Sequence, residues 1–217
     1  ENSLNFYLKS KNLKEKIFGV EHDSDANTLY NIAGIYYIKG DTKKSLEIYF
    51  NLEKIYINSK GQENQDLATV YNNIALAYDK ENSFEKAVDF YKKSIDIGTK
   101  SFGGTHPLLA TCYNNLGVMF YKTKKVDESL YYFENSIDIR EQLIEYGFVN
   151  EDLLSAFSNI AGIYYKLDDF SKCKYYYDRY FEILSKYPEL ENKENTNEMA
   201  VACNNLGLCL VKMNKNQ

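Results

Sequence analysis

An all-α solenoid, built by stacking antiparallel helix pairs, is the fold class this sequence predicts. Three observations predict it. A short phrase recurs five times, as Asn31-Ile32-Ala33, Asn73-Ile74-Ala75, Asn115-Leu116-Gly117, Asn159-Ile160-Ala161 and Asn205-Leu206-Gly207, at intervals of 42, 42, 44 and 46 residues. A near-constant period of this size marks an array whose units bury their apolar faces only against neighbours. Inside each period, apolar and small residues recur at three- and four-residue steps, the spacing of one helix face. Two such runs are separated only by a short break such as Glu81-Asn82-Ser83, so the two helices of a unit must pack side by side and antiparallel.

The elements follow in order. Ser3, Tyr7 and Ser10 fit the small, aromatic and small slots of a second helix, so residues 3 to 17 read as a lone second helix within a half repeat at 1–20. Four full repeats are expected at 24–60, 66–102, 108–147 and 151–187, with first helices starting near Ala26, Ala68, Ala110 and Leu154. In the second of these, Val70, Tyr71, Ile74, Ala75 and Tyr78 line the first helix, and Phe84, Ala87, Val88, Tyr91, Ser94 and Ile95 line the second. Across the repeats the close-approach slot of the second helix holds Ser45, Ala87, Ser129 and Cys173, and the aromatic slot holds Tyr49, Tyr91, Phe133 and Tyr177. Glycines 34, 117, 162 and 207 lie inside first helices, where they are expected to permit close packing. The polar stretch from Tyr187-Pro188 to Thr196 reads as a loop.

An unpaired first helix, a half repeat at 197–213, ends the chain. Met199, Ala202, Cys203, Leu206, Gly207, Leu210 and Met213 form its expected core stripe, yet Val201, Leu208, Cys209 and Val211 make the opposite side apolar too. A helix apolar all round is normally buried. The sequence is therefore expected to be a single array and a segment of a longer one, able to self-associate through its uncapped terminal helices.

The run Asn73-Ile74-Ala75, Tyr78, Phe84, Ala87 and Tyr91 resembles the tetratricopeptide repeat (TPR), in which small and large residues alternate so that two helices approach closely. The resemblance covers nearly all of the chain. Phe18-Gly19-Val20-Glu21-His22 and Phe102-Gly103-Gly104-Thr105-His106-Pro107 lie two periods apart, with Gly61 and Gly147 in the matching places. That detail resembles the 42-residue kinesin light chain type, in which a Gly ends the long second helix and a His-Pro pair opens the next first helix. The resemblance implies a right-handed superhelix of about ten helices. The pair is complete only at His106-Pro107; Asn64, Asn150 and Thr196 stand where the other histidines would be.

Composition excludes several functions. No stretch approaches the roughly 18 apolar residues of a membrane helix, so no membrane insertion is expected, and a net charge of -5 argues against nucleic acid, whose phosphates need a basic face. Four cysteines without a CxxC pair, and no Asn-x-Ser/Thr sequon, favour a reducing, cytoplasmic setting. His22 and His106 stand a few residues before helix starts and read as turn or capping groups. Cys112, Cys173 and Cys203 fall on slots that want small residues, and no nucleophile, metal-ligand or phosphate-loop spacing emerges. No enzyme, cofactor or metal is expected.

What remains is the surface that the resemblance places on the inside of the superhelix, lined by first helices. Asn31, Asn73, Asn115, Asn159 and Asn205 would form a ladder there. A primary amide offers both donor and acceptor, so it can hold an extended peptide backbone without regard to its side chains, as the family does; the rival use is to stabilise adjacent repeats. Seven residues on stand Ile38, Lys80, Lys122, Lys166 and Lys212, a row that would attract an acidic segment but also suits helix C-termini in any protein. Tyr37, Tyr121 and Tyr165 lie beside it and could offer flat apolar contacts. The carboxylate clamp of chaperone-binding members uses a Lys and an Asn where this chain has Tyr30 and Gly34, and a Lys and an Arg where it has Thr111 and Asn115, with only Asn73 matching, so an internal segment fits better than a chain terminus. The expected function is a non-catalytic adaptor that holds an extended segment of a partner protein, with cargo or complex assembly as the family's implication. The alternative is a self-assembly element.

Overall fold

The computed structural model describes residues 2–18, 25–191 and 196–215. Among them lie ten α-helices and no strand: α1 (Asn2–Phe18), α2 (Ala26–Ile38), α3 (Thr42–Lys60), α4 (Gln65–Lys80), α5 (Phe84–Phe102), α6 (Pro107–Lys122), α7 (Val126–Glu145), α8 (Asp152–Lys166), α9 (Phe170–Lys186) and α10 (Thr196–Lys215). The chain forms two compact units, Glu1–Gly104 and Thr105–Gln217. In the first, α1 packs on α2, α2 pairs with α3, α3 packs on α4, and α4 pairs with α5; in the second, α6 pairs with α7, α7 packs on α8, α8 pairs with α9, and α9 packs on α10. Each unit is a run of antiparallel helix pairs, the tetratricopeptide type of helical solenoid. The expected turn through Gly19 and His22 lies outside the described residues, as does the part of the acidic loop at 192–195.

The turn inside each pair is one structure written four times. Gly40, Asn82, Lys124 and Asp168 follow the first helices and all have positive φ, between 57° and 84°. After each, the next N–H bonds back to the carbonyl five residues earlier, as in Asp41 to Tyr36, Ser83 to Tyr78, Lys125 to Phe120 and Asp169 to Tyr164. This closes the helix end and reverses the chain within four residues. Only Gly40 enters the left-handed region without strain. The second helices of the first two repeats end on Gly61 and Gly103, whose φ near 80° with ψ near 180° is a conformation essentially reserved for glycine.

Two of the first helices, α4 and α6, begin on side-chain caps. Nδ1 of His106 accepts from the Leu108 N–H at 3.2 Å, with Pro107 in the first turn of α6. Partial burial lowers the imidazole pKa, which favours the neutral form that this acceptor role requires. Asn64 does the same work for α4, its Oδ1 accepting from Leu67 N–H at 3.1 Å. Replacing the histidine by asparagine therefore conserves the cap.

Pairs are drawn together at the small slots. Ser45 Oγ donates to the Ala33 carbonyl at 2.9 Å and Ser129 Oγ to the Gly117 carbonyl at 2.7 Å. One helical stretch further along, Ser94 and Ser136 donate to Ala68 and Ala110 at 2.6 and 2.8 Å. All four serines are buried, and each satisfies its hydroxyl on a helix carbonyl of the facing partner.

Three sequence expectations need correction. Of the four glycines inside first helices, Gly117 alone is demanded by packing: a Cβ there would lie 2.9 Å from the Phe133 ring, whereas at Gly34 it would come no nearer than 3.9 Å to the Tyr49 hydroxyl and at Gly162 and Gly207 it would meet nothing within 4 Å. On α10 the side turned to the core carries Met199, Ala202, Leu206, Cys209 and Met213. Cys203, Gly207 and Leu210 are exposed, and Cys209 donates to the Phe170 carbonyl at 3.1 Å. Periodicity could not choose between two apolar faces; the docking of α10 on α9 does. The stretch after Tyr187 is not wholly loop, because Pro188–Leu190 form a single 3-10 turn that buries Leu190.

Lys124→Gly should stabilise the protein by about 0.5–1 kcal/mol, since relief of the left-handed strain of roughly 1–2 kcal/mol outweighs the added freedom of the unfolded chain. A denaturant titration checks it, and an unchanged or lowered midpoint contradicts the reading of this turn.

Candidate peptide-binding surface

The ladder asparagines fall into two groups. In the first unit, Asn73 of α4 donates from Nδ2 to the Tyr30 hydroxyl on α2 at 2.9 Å. In the second unit, Asn205 of α10 donates to the Tyr177 hydroxyl on α9 at 3.0 Å. These two amides link neighbouring helices. Asn31 and Asn159 are exposed, Asn115 is half-buried, and none of their three side-chain amides has a hydrogen-bond partner among the described residues. Next to Asn115, Asn114 keeps a buried Oδ1 without a donor.

Around Asn159 the surface is hollow. Ser155, Ser158 and Asn159 of α8 face Asn197, Glu198 and Val201 of α10 across an open cavity of about 290 Å³. Ser155 Oγ donates to Glu198 Oε2 at 3.1 Å on its wall. Hydroxyls, amides and one carboxylate thus converge on one open space. The hydroxyl row could have been read from the sequence. Thr69, Thr111 and Ser155 precede their ladder asparagines by four residues, which puts them on the same helix face.

Two lysines of the row are turned onto the preceding repeat. Lys80 Nζ donates to the Tyr37 carbonyl at 2.8 Å and stands 4.6 Å from the centre of the Tyr37 ring. Lys166 Nζ donates to the Tyr121 hydroxyl at 2.6 Å, 5.0 Å from that ring's centre. The same lysine–tyrosine contact therefore recurs in both units, and combines a hydrogen bond with a cation–π attraction. Burial, and then the nearby Asp79 charge, raise the Tyr37 pKa, so the phenol stays neutral. Lys122 and Lys212 are exposed, Ile38 stands in the lysine slot of α2 with 80% of its surface in water, and Tyr165 meets Phe170 edge-on at 5.8 Å.

Sequence reasoning missed a buried cation. Arg140 on α7 is only 4% exposed; its Nη1 lies 3.1 Å from Asp152 Oδ2 and 3.4 Å from Asn150 Oδ1, and its Nε lies 3.4 Å from Ser136 Oγ. Desolvation lowers its pKa, opposed by Asp152. It ties α7 to the start of α8, beside a small space of about 100 Å³ walled mostly by apolar side chains. No cluster of three or more metal-ligating side chains occurs among the described residues, and no helix among them is long and apolar enough to cross a membrane.

Stacked helix pairs that present repeated polar side chains on their first helices define a class, the helical-repeat scaffold for protein–protein interaction. Residues 54–142 match the tetratricopeptide repeat family. No curated protein matches the chain. Among solved structures it is similar to BtubC (BKLC) from P. vanneervenii, with a TM-score of 0.70 and 27% identity over 79% of this chain and 67% of that one. It is also similar to a Podosopora anserina putative kinesin light chain with nearly identical TPR-like repeats, with a TM-score of 0.66 and 16% identity over 85% of this chain and 87% of that one. Aspartyl phosphate phosphatase F from Bacillus subtilis shares the fold at a TM-score of 0.72 and 18% identity, over 86% of this chain but 46% of that one. A tetratricopeptide repeat domain therefore lies at residues 54–142, and the solved structures share its helical-repeat fold.

The split between the asparagines has a measurable consequence. Asn73→Ala should lower stability by about 1 kcal/mol through loss of its bond to Tyr30, while Asn159→Ala should stay within about 0.5 kcal/mol of the parent. Tyr30→Phe should reproduce most of the Asn73 effect. Equal melting curves for the Asn73 and Asn159 variants would contradict the assignment.

Proposed function

We propose that the second unit holds an extended segment of a partner protein along α6 and α8, with Asn115 and Asn159 bonding to the segment's backbone. The observation that carries this reading is the pair of unbonded side-chain amides in the second unit, Asn115 and Asn159, the latter on the wall of the cavity, while Asn205 is already bonded to Tyr177. A tetratricopeptide scaffold serves protein–protein interaction, and amides that pair with a peptide N–H and C=O read main chain rather than sequence. Asn31 offers the same chemistry in the first unit. Tyr121 and Tyr165 supply half-buried rings nearby for an apolar side chain of the segment.

Charge recognition is secondary in this account. Lys122 and Lys212 stand at the surface, Lys166 must first leave Tyr121, and Glu198 repels a carboxylate beside Asn159. The segment is therefore neutral at the cavity and acidic only where it reaches the lysine row. Such a role is that of a non-catalytic adaptor in cargo attachment or complex assembly. A cytoplasmic setting fits its four free thiols, three of them buried.

A library of extended peptides displayed against residues 1–217 tests the proposal. Peptides that bind the parent should lose affinity by 1–3 kcal/mol, about tenfold or more, in Asn115→Ala and Asn159→Ala. Both variants should melt with the parent. Binding that survives both substitutions, or that disappears only in variants already unfolded, rejects the amide ladder as the site.

A further inference from the structure

One buried cation stands where the other repeats place no charge. Arg140, near the end of α7, is 4% exposed. The same register position holds Tyr56 in α3, Gly98 in α5 and Leu184 in α9, all buried. A guanidinium taken out of water loses more hydration than one ion pair returns, unless its remaining donors also find acceptors. Here they do not. Asp152 Oδ2 accepts from Nη1 at 3.1 Å, and the contacts to Asn150 Oδ1 and Ser136 Oγ are long, each at 3.4 Å. Nη2 has no hydrogen-bond partner among the described residues.

The residue that should cap the next helix is drawn to the same place. Asn64 and His106 cap α4 and α6 from one register position. Asn150 holds that position before α8, yet its side chain caps no N–H of the helix: Nδ2 donates to Asp152 Oδ2 at 3.2 Å, and Oδ1 faces Arg140. Arg140 and Asn150 both border a space of about 100 Å³, whose other walls are Pro107, Leu143, Ile144, Phe148, Val149 and Leu153. A cavity of about 150 Å³ takes benzene, with six heavy atoms, so this one takes about four or five. Its walls are apolar on most sides and cationic at one end. A carboxylate on a short hydrocarbon stem has that chemistry, with two oxygens for the guanidinium fork and carbons for the walls.

We propose that this space is a carboxylate site. The Nη2 edge of Arg140 and the Asn150 amide hold the two oxygens, and the stem lies against Leu143, Val149 and Leu153. Asp152, with 54% of its side chain in water, competes for the guanidinium from the solvent side. The group recognised is common to a free short-chain acid such as propionate and to the glutamate side chain of a bound protein segment.

Carbon-13-labelled propionate titrated into residues 1–217 tests this, with propionamide as the neutral isostere and sodium chloride as the ionic control. Propionate should bind with a dissociation constant on the order of a millimolar and raise the melting temperature; the controls should do neither. Val149→Phe fills the space from a half-buried loop position, and should weaken propionate binding more than about tenfold with the parent's circular dichroism. Arg140→Gln should abolish binding. Asp152→Asn removes the competitor, so it should melt below the parent yet bind propionate at least about threefold more tightly, and regain its lost melting temperature as propionate saturates it. A purely structural Arg140 gives no such rescue. A short blocked peptide with one central glutamate separates the two sources. Tighter binding than propionate assigns the site to an acidic side chain of a partner, and propionate binding without peptide binding assigns it to a free acid. Propionate that binds no better than propionamide, that binds the Val149 variant like the parent, or that does not favour Asp152→Asn would each overturn the proposal, whether or not the Arg140 variant folds.

Discussion

The structure depends on how closely the two helices of a repeat approach. Where Gly117 meets Phe133 and the Ser129 hydroxyl reaches the Gly117 carbonyl at 2.7 Å, no larger side chain fits between the axes. That approach fixes the rotation of the first helix about its own axis. Ile74, Leu116 and Ile160 then point inward and are fully buried, and the asparagine that precedes each of them by one residue turns away from the core. Surface chemistry is thus set by packing: the ladder exists because the residue beside it must be buried.

The same constraint explains why some ladder members are used up. Tyr30, one residue before Asn31, is within reach of Asn73, whereas in the second unit the matching place below Asn159 is filled by Asn114. A tyrosine there brings a long arm with a terminal acceptor; an asparagine does not span the gap. Likewise a lysine on one repeat finds the tyrosine of the repeat before it, Lys80 on Tyr37 and Lys166 on Tyr121. Repeats are joined through polar contacts at their exposed edge as well as through the apolar core, and those contacts draw on groups that would otherwise meet a ligand.

Much of the fold was legible in the sequence because its causes are local and periodic. Helix faces, the small slots at Ser45 and Ser129 and the helix ends at Gly61 and Gly103 all repeat with one period. The face of α10 was not legible. With Val201, Leu208 and Val211 on one side and Leu206 and Leu210 on another, hydrophobicity has no preferred direction, and only the surface of α9 selects Cys209 over Cys203. Within the candidate site, the row of asparagines was readable, but its division into bonded and open amides was not, because it turns on whether a tyrosine from another helix arrives within hydrogen-bond reach. The Arg140–Asp152 pair was invisible for the same reason: it occurs in one repeat, so no period announces it.

The central claim is that Asn115 and Asn159 carry open amides for a ligand backbone while Asn73 and Asn205 are committed to the fold. Side-chain amide resonances of nitrogen-15-labelled protein, followed while a bound peptide from the displayed library is titrated in, test it most directly. The account predicts shifts at the Nδ2 groups of Asn115 and Asn159, with those of Asn73 and Asn205 unmoved and protected from exchange before and after. Shifts confined to Asn73 and Asn205, or to none of the four while the peptide binds, would contradict it.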